Sequence, residues 1–151
     1  SPMFMLDTNV FNRALDEAVD PASLSSCGRF FVTHVQLNEL RATRSSDRLE
    51  QLLRVFNAVD QERVPTAAAV WGVSEWGGAE YGDTDGAYGT MIESLNARNG
   101  SKENNARDIL IAVTALKRGY TLVTNDRDLA AVLKESCGKT ITFEELLKNA
   151  R

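Results

Sequence analysis

The sequence predicts an α/β domain built on a mainly parallel sheet with helices on both faces. Two observations carry that reading. Short apolar runs alternate with stretches of helical periodicity along the whole chain, the pattern that strand–helix–strand crossovers produce. Two of those runs end at an aspartate or a turn rich in aspartate, Asp7 and Asp126. Carboxylates so placed belong at the carboxyl ends of strands, where open parallel sheets bind ligands.

The elements follow in order. Met3 to Leu6 reads as a short buried strand ending at Asp7, with a helix over 10–19 behind it. Residues 30–32 form a second strand. Thr33 and Gln36 have the spacing of a capping box and open a helix carrying Leu37, Glu39 and Leu40. Leu49, Leu52, Leu53 and Phe56 share one face of a helix over 47–59. A third strand is expected over 64–71, interrupted early by Pro65. Residues 72–100 hold seven of the ten glycines and read as an irregular insertion followed by a helix over 87–97. The clearest helix spans 105–118, with Ile109, Leu110, Val113 and Leu116 as its stripe and Gly119 as its stop. A strand over 121–124, a helix over 129–136, a strand over 139–142 and a terminal helix opened by a second capping box, Thr142 with Glu145, complete the chain.

Composition bounds the function. The chain has 151 residues, 43% hydrophobic and 25% charged, which suits one domain with one core, taken as 3–151. Ser1 and Pro2 read as an added leader outside it. No apolar run approaches the roughly 20 residues a bilayer requires. Met3 to Leu6 is too short for a secretory signal, so a cytoplasmic protein without a membrane partner is expected. Cys27 and Cys137 lack metal-ligand spacing and read as thiols in a reducing compartment. The single histidine, His34, excludes mechanisms needing a histidine pair or a histidine-rich zinc site. The net charge of −4 argues weakly against nucleic-acid binding, less so if several acids share one cation.

The acids carry the chemistry. Asp7 follows four apolar residues, so it must cap a helix or meet a cation. Glu39 lies at the edge of an apolar helix face; its plainer alternative is a surface pair with Arg41 or Arg44. Asp108 opens a helix whose side continues as Ala112, Ala115 and Gly119, a lane of small residues that carries the acid toward the strand ends. Its plainer alternative is an acid at a helix dipole. Asp126 and Asp128 flank Arg127 at a strand-to-helix turn, where one cap would suffice and two acids are present. Together they point to one rim. Clustered carboxylates repel unless a cation joins them, and an all-oxygen set suits Mg²⁺ or Mn²⁺.

Four segments, Met5 to Val10, Thr33 to Arg41, Asp108 to Ala115, and Leu122 to Leu129, resemble the PIN-domain ribonucleases, most of all the VapC toxins of bacterial toxin–antitoxin pairs. The resemblance covers almost the whole chain; Leu129 stands where the family usually has Phe. It implies a three-layer α/β/α PIN-like domain and an Mg²⁺- or Mn²⁺-dependent endoribonuclease. Asp7, Glu39, Asp108 and Asp126 match the acidic quartet, and Asp128 an additional acid. Thr124 matches a hydroxyl residue and Asn9 a polar residue beside the first acid, both expected to orient carboxylates. The principal metal ligands would be Asp7, Asp108 and Asp126, with Glu39 as ligand or water-orienting base and Asp128 secondary. An antitoxin partner covering apolar surface near the first helices, with a basic residue in the acidic pocket, and a homodimer are also implied. Arg41, Arg44, Arg48 and Arg54 follow Glu39; at least half are expected on a solvated face, the rest against RNA phosphates.

Two rivals remain from the residues. A haloacid-dehalogenase-type phosphatase also places an Asp after its first strand, but Asn9 stands where its second Asp belongs. A non-catalytic RNA- or protein-binding module on a degenerate nuclease fold would not need the intact acids. Asp83-Thr84-Asp85-Gly86 resembles part of a calcium loop, but the other ligands of an EF-hand are missing, and it reads as a turn and helix start.

Overall fold

The computed structural model describes residues 1–66 and 86–150. Five strands form one wholly parallel sheet in the order β3-β2-β1-β4-β5: β1 (Met3–Leu6), β2 (Arg29–Val32), β3 (Gln61–Arg63), β4 (Thr121–Val123) and β5 (Lys139–Ile141). Register is set by Phe4 opposite Phe30 on one side and opposite Thr121 on the other. The chain builds outward from β1 to β3, then returns to the opposite side of β1 for β4 and β5. The direction of winding therefore reverses between β1 and β4, and a crevice opens there at the strands' carboxyl ends.

Side chains alternate across the sheet, as the period of two requires. Phe4, Leu6, Phe30, Val32 and Val123 enter one core with α1 (Thr8–Asp16), α3 (Ser46–Ala58) and α7 (Phe143–Asn149). Met5, Phe31 and Leu122 enter a second core with α4 (Ala87–Asn99), α5 (Asn105–Arg118) and α6 (Arg127–Glu135). The result is three layers, α/β/α. The remaining helix, α2 (His34–Arg41), contributes to both cores, Val35 to one and Leu37 and Leu40 to the other. A 3-10 helix, Pro21–Ser26, precedes β2.

Local chemistry fixes the elements near the crevice. Thr33 and Gln36 form the expected capping box, and Gln36 Nε2 also donates to the Leu6 carbonyl at 2.9 Å. A fully buried amide thus ties α2 to the end of β1. At the opposite end of β1, Gly28 (φ +155°) leaves room for the Pro2 carbonyl: a Cβ there would lie 2.4 Å from that oxygen. Arg29 N donates to the same carbonyl at 2.9 Å, so Pro2 takes part in the β1–β2 pairing.

Three expectations move. The first helix begins at Thr8, not Val10, because Asp7 caps it directly, and it stops at Asp16. The sixth helix starts at Arg127 for the same reason, with Asp126 as its cap. The third strand lies at Gln61–Arg63 instead of 64–71; it is an edge strand of polar residues, so no apolar alternation marks it. Residues 67–71 of that expectation, the first part of the glycine-rich insertion, and Asp83 to Asp85 lie outside the described residues. No described helix is long and apolar enough to cross a membrane.

Candidate active site

Asp7 leaves the end of β1 and is 3% exposed. Its backbone N–H donates to the Val123 carbonyl at 3.0 Å, which fixes it against β4. Both carboxylate oxygens are held: Oδ1 accepts from Thr8 N at 2.8 Å, Oδ2 from the Thr124 hydroxyl at 2.7 Å. The Thr124 hydroxyl in turn accepts from Asp126 N at 3.1 Å. Asp126 Oδ1 accepts from the backbone N–H groups of Asp128 and Leu129, at 3.0 and 3.1 Å. One chain of hydrogen bonds therefore runs from Asp7 through Thr124 to Asp126 across the crevice.

The helices bring the other two acids. Glu39 sits on the last turn of α2, and its Oε1 accepts from the Thr8 hydroxyl at 2.6 Å. Asp108 lies in the first turn of α5, whose Ala112 and Ala115 are fully buried against the sheet as the lane of small residues requires. The start of α5 is clasped to the end of α4 by a buried amide cluster. Asn105 Nδ2 donates to the side-chain oxygens of Asn96 and Asn99, both at 2.7 Å, and Asn99 Nδ2 donates back at 2.9 Å.

Electrostatics shows that these four acids converge. Asp7 titrates at about 6, raised first by burial and further by the charges of Glu39 and Asp126, against the lowering pull of Thr124 and Thr8 N. Asp108 is raised to about 8, first by burial, then by the charges of Asp7, Glu39 and Asp126; only Arg107 opposes. Asp7 and Asp108 resist ionisation first because they are buried, and further because neighbouring carboxylates carry like charge.

The donor set is wholly oxygen, which suits a hard divalent cation such as Mg²⁺ or Mn²⁺. Among the described residues no group of three His, Cys, Asp or Glu side chains stands close enough together to hold a metal ion. Charge and donor chemistry fit such an ion.

The other expected site residues fall differently. Thr124 is buried, its hydroxyl donating to the Asp7 carboxylate and accepting from the backbone N–H of Asp126. Asn9 is exposed and bonds to none of the acids; its neighbour Thr8 holds both Asp7 and Glu39. Residues of a helix's first turn project about 100° apart, and residue type alone does not say which of two polar neighbours turns inward. Asp128 is partly buried, and its carboxylate accepts no hydrogen bond among the described residues. Asn125 belongs to the scaffold, since its Oδ1 accepts from Phe143 N at 2.8 Å and anchors α7. Arg48 pairs with Asp16 at 2.7 Å and Arg54 with Glu50 at 2.6 Å, both on the surface and away from the acids.

With sheet order and crevice established, the class of fold is clear: a PIN-like α/β/α domain of the kind found among VapC neighbours. No family model matches the sequence, and no curated protein matches it. Solved structures do. VapBC2 from Rickettsia felis, bound to a DNA fragment from its promoter, superposes with a TM-score of 0.60 at 19% identity, over 93% of this chain and 98% of that one. DNA-bound VapBC from Salmonella typhimurium gives 0.60 at 22% identity, over 95% and 99%. VapBC-5 from Mycobacterium tuberculosis, a member of the VapBC family of toxin–antitoxin systems, gives 0.50 at 26% identity, over 94% and 98%.

Proposed function

We propose that this chain is the toxin of a toxin–antitoxin pair and an Mg²⁺- or Mn²⁺-dependent endoribonuclease. The observation that carries the reading is the gathering of Asp7, Glu39, Asp108 and Asp126 in the crevice beside β1 and β4, close enough that the charges of neighbouring acids help to raise Asp7 and Asp108. A protein that buries one carboxyl beside three others, raising it to about 8, has gathered more negative charge than the single neighbouring cation, Arg107, can match. A divalent cation is the simplest partner for such a set.

Asp7, Asp108 and Asp126 would hold the ion, directly or through water, with Asp128 as a secondary ligand. When bound, a divalent ion supplies a hydroxide nucleophile near neutral pH and neutralises charge on the phosphoryl oxygens. The protein's own groups do the rest. Thr124 and Thr8 fix the carboxylate oxygens of Asp7 so that they need no reorientation. Glu39, braced by the Thr8 hydroxyl, orients the attacking water and takes up its proton. Attack by water leaves a 5′-phosphate and a 3′-hydroxyl. His34 alone cannot supply the acid–base pair that attack through the 2′-hydroxyl requires. The phosphatase reading loses ground, because both oxygens of Asp7 are already held and Asn9, which stands where the second Asp belongs, is exposed and bonds to none of the acids.

The similarity to VapBC structures supports an antitoxin partner; in this reading the partner covers apolar surface near the first helices and places a basic group in the pocket. A homodimer and a cytoplasmic location belong to the same proposal. The test is cleavage of total cellular RNA with Mg²⁺ or Mn²⁺, with EDTA as the control. Cleavage should stop with the chelator and return with either metal; undiminished cleavage by metal-free protein would overturn the reading.

A further inference from the structure

Arg107 stands immediately before Asp108 in the first turn of α5. Its Nε lies 3.7 Å from Glu39 Oε2, and its Nη2 donates to the side-chain oxygen of Asn104. The guanidinium is thus steadied at two points. Its side chain is 49% exposed, against 14% for Glu39, so the cation forms the outer lip of the acidic pocket. A guanidinium carries five N–H donors, and the Nη1 edge meets no acceptor among the described residues.

This placement is singular. Among the described residues no other Lys or Arg pairs with any acid of the quartet; Arg13, Arg29, Arg48, Arg54 and Arg98 pair with other surface acids. Residues 67–85 contain no Lys or Arg at all. The contact with Glu39 is longer than a hydrogen bond, so it leaves most of the fork's donor capacity for a further acceptor. A pocket of four carboxylates repels a polyanion, and entry of RNA calls for fixed positive charge at its edge.

We propose that Arg107 receives a backbone phosphate of the RNA at the mouth of the acidic pocket, next to the bond to be cut. The proposal rests on the nuclease reading of that pocket. Arg107 acts as a substrate-binding residue: it grips phosphate through its fork while Asn104 holds the guanidinium plane in place.

The test uses the full chain and a labelled pool of random-sequence single-stranded oligoribonucleotides. Binding is followed by fluorescence anisotropy in an Asp126→Asn background, across a salt series, for Arg107 and for Arg107→Ala and Arg107→Lys. Loss of one phosphate contact should weaken binding about fivefold to tenfold and lower the slope of log affinity against log salt by about 0.7. Arg107→Lys should keep the slope and recover part of the affinity, since a lysine retains the charge but not the fork. With Asp126 intact, Arg107→Ala should raise KM with kcat within about twofold. An unchanged salt slope, or a fall in kcat at constant KM, would overturn the assignment, as would a lower Tm as the sole effect of Arg107→Ala. Failure of the unsubstituted protein to cut any member of the pool with Mn²⁺ would instead count against the nuclease reading, and the binding series would still decide the phosphate contact.

Discussion

Asp7 and Asp126, at the ends of β1 and β4, are gripped by donors that folding itself supplies: the N–H groups of Thr8, Asp128 and Leu129, and the hydroxyl of Thr124. Glu39 and Asp108, carried by α2 and α5, are held far more lightly. Glu39 has one hydroxyl and one distant guanidinium, and Asp108 accepts no hydrogen bond among the described residues. The strand-borne half of the site is therefore set by the sheet, and each of its acids doubles as a helix cap. The helix-borne half is placed by the anchoring of its helices, through Gln36 and the Asn105 clasp, and its carboxylate oxygens are left largely without donors among the described residues.

That contrast can be tested by breaking each half separately. The largest effect is expected from Asp7→Asn, which should reduce RNA cleavage to background while the protein remains folded, because asparagine still accepts from Thr8 N and caps α1. Unfolding of this variant in a thermal melt would mean that Asp7 serves the scaffold alone. A cleavage rate equal to that of the unsubstituted protein would remove it from the chemistry.

Next comes the brace between the strand ends. Thr124→Val keeps the shape and deletes the hydroxyl that links Asp7 to Asp126. Orienting partners of this kind are typically worth about 10- to 100-fold in metal affinity or activity. Titration calorimetry with Mn²⁺ should show the loss, while Asn9→Ala, which touches none of the acids, should bind Mn²⁺ within about twofold of the unsubstituted protein. Equal effects of the two substitutions would contradict the assignment of Thr124 as the brace.

The smallest effect belongs to the helix-borne half, and it is a gain. Asp108 titrates at about 8 in the folded protein against an ordinary 3.8. Between those values the native state holds a proton that the unfolded chain has released. Metal-free stability therefore falls as pH rises from about 4 to about 8, and Asp7, raised to about 6, adds to the same slope. Asp108→Asn removes its share. In EDTA its Tm should exceed that of the unsubstituted protein by about 3 °C at pH 8.5, corresponding to about 1 kcal/mol, and by less at pH 5.5. An equal difference at both pH values would show that Asp108 is not under the pressure described.

Much of this arrangement was legible in the sequence, for identifiable reasons. An apolar strand running straight into Asp7, and the turn after β4 holding Asp126, announce carboxylates at strand ends because the pleat and the sheet's direction leave them nowhere else. The lane of Ala112 and Ala115 told which way Asp108 would face, since only small residues let a helix side lie close to a sheet. Other parts were hidden because they depend on partners distant in the chain. Gln36 reads as half of a capping box, yet its bond to the Leu6 carbonyl needs β1 beside α2. Asn105 looks like an ordinary helix start, but it is the centre of a buried amide clasp with Asn96 and Asn99. β3 is polar throughout and becomes a strand through its pairing with β2.

Thr8 has a consequence for how such a chain can change over generations. It serves Asp7 through its backbone N–H and Glu39 through its hydroxyl. Any residue except proline supplies the first bond, whereas only threonine or serine can supply the second in the same geometry. A change of side chain at position 8 therefore leaves the strand-end acid in place and loosens only the helix-borne one. Heritable variation at this one position can adjust the Glu39 side of the pocket in small steps, without putting the sheet or its first carboxylate at risk.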